Sequence, residues 1–249
     1  MKRSQRSVSF QLPARERVKT AIILAGGAGL RLRPLTQESP KAMINVSGKP
    51  LLQWMIEWLR VNDVRNIVVG VAYKKRKIID YFKDGETLDV KIKYSTHTIE
   101  GGTNEGFKLA IQRHVRDDEV FLAMNGDELV DINVNKMLTH HRKHRGVATI
   151  AVGHLRSPYG IVELDGADIT GFHEKPTLKS ILVSTGVYMF SQDVLRYLPD
   201  SGDIERTMFP KLSSMHKLKA YVHNGFWATV NSLKDLEEVE MQLHQRRLN

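Results

Sequence analysis

A short apolar run that stops at three glycines constrains this chain more than any other feature. Residues 21 to 24 read AIIL, and Gly26, Gly27 and Gly29 follow. A run that is apolar at every position is typical of a strand buried on both faces of a parallel sheet. The glycines allow positive φ angles and let backbone amides approach phosphate oxygens closely, because no Cβ stands in the way. The stretch therefore predicts a buried strand followed by a phosphate-binding loop.

Basic residues accompany this loop, whereas two familiar glycine motifs do not fit it. Arg31, Arg33 and Lys41 bring positive charge, and an arginine can hold a phosphate through two parallel hydrogen bonds. The GxGxxG dinucleotide motif needs a third glycine where Leu32 stands, and the P-loop needs Gly-Lys-Ser/Thr at its end. We therefore expect a polyphosphate site of another type.

A longer pattern indicates that type. Residues 26 to 52 follow GGxGxRLxPLTxxxPKxxxxxxGKPLL and resemble the sugar-phosphate nucleotidylyltransferases, also called sugar-nucleotide pyrophosphorylases. Later motifs extend the resemblance over about residues 20 to 240. It implies a single α/β domain with a Rossmann-like mixed, mostly parallel sheet flanked by helices. The matching positions are Gly26, Gly27, Gly29, Arg31, Leu32, Pro34, Leu35, Thr36, Pro40, Lys41, Gly48, Lys49, Pro50 and Leu51.

Alternating strand-like and helix-like stretches favour the same fold without the resemblance, since this rhythm is typical of a mostly parallel sheet covered by helices. After the first strand, the predicted strands are residues 66–71, 89–94, 120–124, 161–164, 169–172, 183–190 and 219–222. The predicted helices are residues 51–61, 74–82, 103–114, 192–198, 204–215 and 233–246.

The composition is that of an ordinary globular chain. It has 249 residues, of which 41% are hydrophobic, enough for one sizeable core. No apolar run approaches the length needed to cross a bilayer, so we expect no membrane span. The chain contains no cysteine, which excludes disulfides and thiolate metal sites and fits a reducing compartment. We expect a cytoplasmic protein.

The positive charge is concentrated at the beginning of the chain. The net charge is +9, and residues 1 to 19 contain six basic residues against one acidic residue. The rest of the chain is closer to balance, so a general nucleic-acid surface on the folded part is not indicated. We expect residues 1–19 to be a flexible basic extension and residues 20–249 to be the nucleotidyltransferase domain. Within it, residues 20–152 would bind the nucleotide and residues 153–249 the sugar.

Asp127 is the candidate metal ligand. Asn125, Gly126 and Asp127 end a predicted strand, where ligands bind in open α/β sheets. A carboxylate beside phosphates is the usual way to hold Mg²⁺, although Asn-Gly-Asp is also turn chemistry. The resemblance implies that Asp127 binds Mg²⁺ and that Arg31 and Lys41 act with it as the catalytic residues.

The resemblance also implies a nucleotide site, made of Leu24, Ala25, Gly26, Gly27, Gly29, Arg31, Gly102, Thr103 and Glu105. A carboxylate at Glu105 would accept two hydrogen bonds from guanine or one from the cytosine amino group, and would repel the carbonyls of uracil and thymine. GTP is therefore weakly favoured over UTP, dTTP and CTP. The alternative is a helix-start glutamate favoured by the helix dipole.

A second set of residues resembles the sugar-phosphate site of the family. A carboxylate there accepts hydrogen bonds from sugar hydroxyls, and an ammonium group suits a phosphate. Without the resemblance, Glu-Lys-Pro at residues 174–176 would be interpreted as a surface turn. The set consists of Tyr159, Gly160, Glu174, Lys175, Ser184 and Thr185.

Four departures from the family pattern bear on activity. Leu30 replaces a small hydroxyl residue in the glycine loop, Ser184 replaces an asparagine, and Glu105 stands where a small residue or glutamine is usual. The most serious is Thr229, where the family has a second metal-binding aspartate. Glu128 or Asn231 would compensate, with Asn231 two residues along the same face if this segment is a strand.

The expected reaction follows from the resemblance. A sugar 1-phosphate attacks the α-phosphorus of a nucleoside triphosphate, and pyrophosphate leaves. The alternative, motivated by Thr229 and Leu30, is a non-catalytic nucleotide-sugar sensor or regulatory subunit of the same fold. Nucleic-acid binding through the tail is a third hypothesis. A homo-oligomer is compatible with these features.

One further cluster is interpreted as structural. Residues 140 to 145 read HHRKHR and form a basic helix end. No acidic or cysteine residue accompanies the histidines, so we expect a solvated helix face rather than a metal site.

Overall fold

A seven-stranded sheet forms the centre of the computed structural model, which describes residues 17–115 and 120–248. Residues 1–16 of the predicted basic extension lie outside the described residues, so that prediction stays a prediction. The strands are β1 (Thr20–Leu24), β2 (Asn45–Val46), β3 (Lys49–Pro50), β4 (Asn66–Val71), β5 (Lys91–Thr96), β6 (Val120–Asn125), β7 (Glu128–Val130), β8 (Ala148–Arg156), β9 (Ile161–Asp165), β10 (Asp168–His173), β11 (Thr177–Ser191), β12 (Leu218–Val222) and β13 (Trp227–Thr229).

The order in the central sheet is β12-β8-β11-β6-β1-β4-β5. Strand β1 pairs in parallel with β4 and β6, β4 with β5, and β8 with β12. Strand β11 is antiparallel to both of its neighbours, β6 and β8. The expected mixed, mostly parallel sheet is therefore confirmed. Three small sheets, β9–β10, β7–β13 and β2–β3, complete the strand pairings of the described chain.

Helices cover both faces of this sheet. They are α1 (Leu51–Val61), α2 (Lys75–Phe82), α3 (Gly102–His114), α4 (Val134–His144), α5 (Met208–Ser214) and α6 (Leu233–Leu248). Short 3-10 helices span Leu30–Leu32, Lys41–Met43, Glu86–Leu88 and Gln192–Arg196. Helices α1, α2, α4 and α6 contribute to one hydrophobic core, whereas α3 and α5 contribute to the core on the other face.

Strand β1 lies in the middle of the sheet, as its apolar sequence predicts. Ala21 and Ile23 face one core and Ile22 faces the other, and all three are completely buried. Each buried isoleucine stabilises the fold by roughly 1.5–3 kcal/mol. Because β1 ends between β4 and β6, with Leu24 opposite Asn125, the glycine loop leaves the sheet beside the Asn-Gly-Asp segment. Two sequence-distant candidate regions therefore meet at one sheet edge.

Helix α1 shows why periodicity predicts some elements well. Its buried residues follow the spacing of one helix face, and the predicted bounds of residues 51–61 are confirmed. The prediction for residues 204–215 is wrong in its first turn, since α5 begins only at Met208. The segment predicted as a helix at residues 192–198 is the 3-10 helix Gln192–Arg196.

The prediction of a solvated face at residues 140–145 is wrong for His141. This side chain is only 3% exposed, and its Nδ1 lies 2.8 Å from the hydroxyl of Thr149. Burial, together with the neighbouring Arg142 and His140, lowers the pKa of His141 to about 4. The apolar stripe of α4 runs through Met137, Leu138 and His141, so the helix turns this histidine into the core.

None of the helices in the described part of the chain is long and apolar enough to cross a membrane.

Candidate active site

The glycine loop is held firmly at both ends and is open in the middle. Gly29 adopts a φ of 61°, a conformation that favours glycine, and its carbonyl accepts a hydrogen bond of 2.8 Å from the Thr36 hydroxyl. At Gly26 the loop lies so close to its neighbours that a Cβ would stand 2.7 Å from the His97 ring. At Gly27 no described atom lies within 4 Å of the position of a Cβ.

This open stretch lines a cavity of about 300 Å³. Six of the nine predicted nucleotide-site residues line it, namely Leu24, Ala25, Gly26, Gly27, Gly102 and Thr103. Lys41 and Asp127 also line it. We call it the nucleotide cavity below. Backbone is exposed at four positions of its lining, because glycines 26, 27, 102 and 126 all contribute.

Lys41 and Asp127 form an ion pair at one end of the nucleotide cavity. The Lys41 ammonium also donates a hydrogen bond of 2.7 Å to Oδ1 of Asn231, and Arg31 donates to the same oxygen at 3.3 Å. The three predicted catalytic residues therefore gather around the amide of Asn231. Asn231 lies outside strand β13, contrary to the expected strand position, but its Nδ2 donates to the Thr229 hydroxyl at 2.9 Å.

The oxygens in this cluster fit one Mg²⁺ ion completed by phosphate oxygens. The Asp127 carboxylate and the Asn231 amide oxygen both contact the Lys41 ammonium, so a single cation already bridges them. Mg²⁺ commonly takes one or two carboxylates plus substrate phosphates. No group of three or more His, Cys, Asp or Glu able to hold a metal occurs in the described residues. A fully protein-built cage is therefore not present there.

Glu128 is a poor candidate for the compensating ligand. Its side chain is buried and accepts a hydrogen bond of 2.8 Å from the Trp227 indole. Burial, and then the negative charge of Asp127, raise the pKa of Glu128 well above its usual range. A carboxyl group held in this way favours the neutral form, which binds cations weakly.

A second and larger cavity, of about 640 Å³, lies on the other side of Thr229. We call it the cationic cavity. Its basic lining residues outnumber the acidic ones, and Phe226 and Trp227 supply aromatic surface. The charged and histidine residues of the lining are His154, Arg156, Lys175, His223, Lys234, Asp235, Glu238 and Arg246.

Of the six predicted sugar-phosphate residues, only Lys175 lines the cationic cavity. Tyr159 is 75% exposed, and Gly160 packs against Phe172 and Glu174. The Ser184 hydroxyl accepts a hydrogen bond of 3.2 Å from the amide of Gly186.

Thr185 is completely buried, and its hydroxyl donates to the carbonyl of Ala151 at 2.9 Å. The Thr185 hydroxyl is therefore not available to a ligand.

Glu105 lies in the first turn of α3, and its carboxylate forms hydrogen bonds within the protein. One carboxylate oxygen accepts hydrogen bonds from the amide of Thr98 at 2.8 Å and from its hydroxyl at 2.5 Å. These bonds lower the pKa of Glu105. Glu105 is not among the described residues that line the nucleotide cavity. The geometry agrees better with the helix-start interpretation than with base recognition.

Sequence reasoning missed His97, Asn125 and Asp203, which line the nucleotide cavity. Nδ1 of His97 lies 2.9 Å from the carbonyl of Thr98, and a carbonyl only accepts, so this nitrogen carries the proton. Nε2 is then an acceptor, buried and without a partner among the described residues. The position of His97 could have identified it as a candidate, because it directly follows strand β5 at the end of the sheet where ligands bind.

Comparisons with known proteins agree with this geometry. The family model described as nucleotidyl transferase matches residues 20–246. A UTP–glucose-1-phosphate uridylyltransferase from Synechocystis is 33% identical over 77% of this chain and 54% of its own length. Mannose-1-phosphate guanylyltransferase 1 from Arabidopsis thaliana is 33% identical over 86% of this chain and 62% of its own length. The bifunctional protein GlmU from Methanocaldococcus jannaschii is 36% identical over 90% of this chain and 54% of its own length.

The chain thus spans between about half and two thirds of the length of these curated relatives. Among solved structures, HddC from Yersinia pseudotuberculosis superimposes with a TM-score of 0.72. The superposition covers 91% of this chain and all of HddC at 23% sequence identity, and it shows a shared fold.

Proposed function

The chain belongs to the nucleotidyl transferase family, and from this premise we propose that it transfers a nucleotidyl group from a nucleoside triphosphate to a sugar 1-phosphate. The products would be a nucleotide sugar and pyrophosphate. The uridylyltransferase and the guanylyltransferase among its relatives support the reaction class.

The observation that carries this proposal is the position of two cavities on either side of one small cluster. Lys41 and Asp127 line the nucleotide cavity, and Thr229 lines the cationic cavity. Asn231 connects them, because its side chain contacts both Lys41 and Thr229. Two phosphorylated substrates bound in the two cavities would meet at this cluster. Holding two reactants in line is the main requirement of phosphoryl-group chemistry.

The chain's own residues would act by positioning and charge neutralisation. An oxygen of the sugar phosphate attacks the α-phosphorus, the bond to the β-phosphate oxygen breaks, and pyrophosphate leaves with that electron pair. Backbone amides of Gly26 and Gly27 would hold the triphosphate in the open part of the loop. Arg31 and Lys41 would stabilise the negative charge that grows on the transferring and leaving groups.

Asp127 and Asn231 would hold the Mg²⁺ ion that we propose for this reaction. When bound, Mg²⁺ supplies charge neutralisation at the phosphate oxygens. Lys41 must then release Asp127 and turn to the phosphates, which its three N–H donors allow. Thr229 lines the cationic cavity beside Asn231 and supplies a neutral hydroxyl where the family pattern has a carboxylate.

GTP remains the proposed nucleotide, on the support of the guanylyltransferase relative. The uridylyltransferase relative is equally identical, so the preference depends on the cavity itself. His97 lines this cavity and is the residue that we expect to take the place of Glu105 beside the base.

The proposal is tested by measuring pyrophosphate release across GTP, UTP, dTTP, CTP and ATP, each with several sugar 1-phosphates and Mg²⁺. We expect one productive pair, with GTP giving the highest kcat/KM. Clear superiority of UTP or dTTP would contradict the nucleotide preference but leave the reaction class intact. No release with any pair would contradict the transferase proposal.

A second candidate function is a nucleotide-sugar sensor or regulatory subunit. It is favoured by Thr229, which contributes no charge to the metal cluster, and by Leu30, which is 63% exposed in the glycine loop. Calorimetry would distinguish the two functions, because tight binding of a nucleotide sugar without turnover would favour the sensor.

Three further predictions remain part of the proposal. They are a cytoplasmic location, a homo-oligomeric assembly, and a division into a nucleotide-binding half (residues 20–152) and a sugar-binding half (residues 153–249). The boundary falls within strand β8, which runs from the central sheet towards the cationic cavity.

A further inference from the structure

Two lysines from distant parts of the sequence lie side by side in the cationic cavity. Lys175 follows strand β10, and Lys234 lies in the first turn of helix α6. Both line the cavity. The Lys234 side chain lies close enough to Lys175 to interact with it, and this neighbouring positive charge lowers the pKa of Lys234. Two like charges in contact repel each other unless an anion lies between them.

The anion that the chain itself provides is the carboxylate of Glu238. Its Oε1 lies 3.2 Å from the Lys175 ammonium, and its charge also acts on Lys234. Glu174, next to Lys175, is exposed to solvent and acts on both lysines only at longer range. Glu238 therefore contacts the ammonium group of Lys175 and also lies one helical turn from Lys234.

Ordinary helix stabilisation does not account for this arrangement. Lys234 and Glu238 are four residues apart on α6, and such a pair stabilises a helix only slightly, and less so when the lysine comes first. Lys175 comes from outside the helix and adopts a φ of 45°. A left-handed conformation is unfavourable at a non-glycine residue and is frequent at binding sites. The backbone is thus strained at the residue that points its charge towards α6.

We propose that Lys234 is a second phosphate-binding lysine of this site and that Glu238 is an internal counter-ion which the phosphate of the sugar 1-phosphate displaces. This inference rests on the proposed function. A phosphate monoester carries close to two negative charges at neutral pH and presents three acceptor oxygens, so it can contact both ammonium groups at once. Glu238 presents a single charge and is tethered to α6, so it holds the lysines in place only until the phosphate arrives.

The proposal predicts opposite effects for two substitutions in the same cluster. Lys234→Gln removes one ammonium group, so affinity for the phosphate should fall about tenfold, as expected for the loss of one charge-assisted hydrogen bond. Glu238→Gln removes the competing carboxylate, so the affinity should rise several-fold. A purely structural cluster would respond in the same direction to both changes, because each would break one ion pair.

The experiment measures the dissociation constants of inorganic phosphate and of mannose 1-phosphate by calorimetry, with the KM for each substrate wherever turnover occurs. Lys234→Arg keeps the charge and should restore most of the affinity. Lys143→Gln, at an exposed lysine of helix α4, is the matched control for lost surface charge and should change neither constant. Melting temperatures check that each variant is folded.

Three outcomes separate this inference from the transferase proposal. Opposite shifts in phosphate affinity without turnover would support the lysine pair and contradict the transferase. Turnover with an unchanged sugar-phosphate KM in Lys234→Gln would support the transferase and overturn the lysine pair. Weaker phosphate binding in Glu238→Gln would also overturn the pair, because the carboxylate would then be supporting the phosphate site and not competing for it.

Discussion

The nucleotide cavity and the cationic cavity are built in different ways. The first has four glycines in its lining, which come from the glycine loop after β1, the turn after β6 and the start of α3. The second is formed by side chains from β8, the segment after β10, the loop between β12 and β13, and helix α6. A backbone cavity needs glycines at particular positions, and these are visible in a sequence. A side-chain cavity needs only that distant segments meet, and this leaves little local signal.

The two cavities also differ in charge. The nucleotide cavity pairs Lys41 with Asp127, so the charges of these two residues compensate each other. The cationic cavity keeps Lys175 and Lys234 around one carboxylate. We infer that the first cavity depends on geometry and a metal ion, whereas the second depends on fixed positive charge. The following predictions test this contrast, beginning with the largest expected effect.

Asp127→Ala should abolish turnover while leaving the cationic cavity intact. Removal of the carboxylate that holds the metal should lower kcat about 10²- to 10³-fold, comparable to the loss of one key electrostatic group in other enzymes. Phosphate affinity should stay within twofold, since Lys175 and Lys234 are untouched. Steady-state kinetics and calorimetry measure the two quantities. Asp165→Ala, at the exposed end of β9, is the control, and equal losses in both variants would remove Asp127 from the proposed mechanism.

Both cavities should lose their structure together at acid pH, because protonation of the buried His141 destabilises the whole fold. His141 is neutral in the folded protein because its pKa is lowered from 6.5 to about 4, and it becomes protonated more readily when unfolded. Its contribution is therefore fully present above about pH 6.5 and is lost as the pH falls towards 4, up to roughly 3 kcal/mol.

Urea unfolding between pH 4 and 8 measures the effect of His141. His141→Gln should flatten this part of the stability curve. An unchanged slope in His141→Gln would show that other groups control acid unfolding.

Gly26→Ala should damage the nucleotide cavity, whereas Gly27→Ala should not destabilise the protein. A Cβ at Gly26 would collide with the His97 ring at 2.7 Å and with Ala72 at 2.9 Å, but no described atom lies within 4 Å of a Cβ at Gly27. Overpacking of this kind costs typically 1–3 kcal/mol. Thermal unfolding and nucleotide binding are the measurements. Equal melting temperatures for the two variants would mean that the loop tolerates a side chain at Gly26.

Thr229→Asp should have the smallest effect of these substitutions, and the effect should be confined to the magnesium requirement. A carboxylate beside Asn231 adds negative charge to the proposed metal site, so the Mg²⁺ concentration for half-maximal activity should fall several-fold. Thr229→Asn, which adds similar volume without charge, is the control. A higher magnesium requirement in Thr229→Asp would indicate that the aspartate captures Lys41 instead of the metal.

Prediction from sequence succeeded where one local pattern determines one local structure. The bounds of α1 follow from apolar residues at helical spacing, and those of β4 from a β-branched run. The position of Asp127 at the end of a buried strand was also predictable. Prediction failed at His141. The basic residues around it indicated a solvent-exposed side chain, but His141 lies on the apolar face of α4 and points into the core.

Site prediction shows the same limit. The chemistry of Glu105 left base recognition and a helix-start role both open, and only the fold shows that its carboxylate accepts hydrogen bonds from Thr98, seven residues earlier. Thr185 was assigned to the sugar, but strand alternation points its hydroxyl into the core. No local feature of Lys234 indicated that it lies beside Lys175, since the two are brought together only when α6 packs against the sheet.

The sequence by itself determined the family, through the resemblance of its motifs. It also determined the parallel arrangement around β1 and the glycine loop, because short-range steric rules favour glycine and β-branched residues at those positions. Only the tertiary structure decided that Asn231 gathers Arg31 and Lys41 beside Thr229 and that two lysines share Glu238. The physical reason is the range of the interactions. Backbone conformation depends on neighbouring residues, whereas charge clusters depend on how segments far apart in sequence pack together.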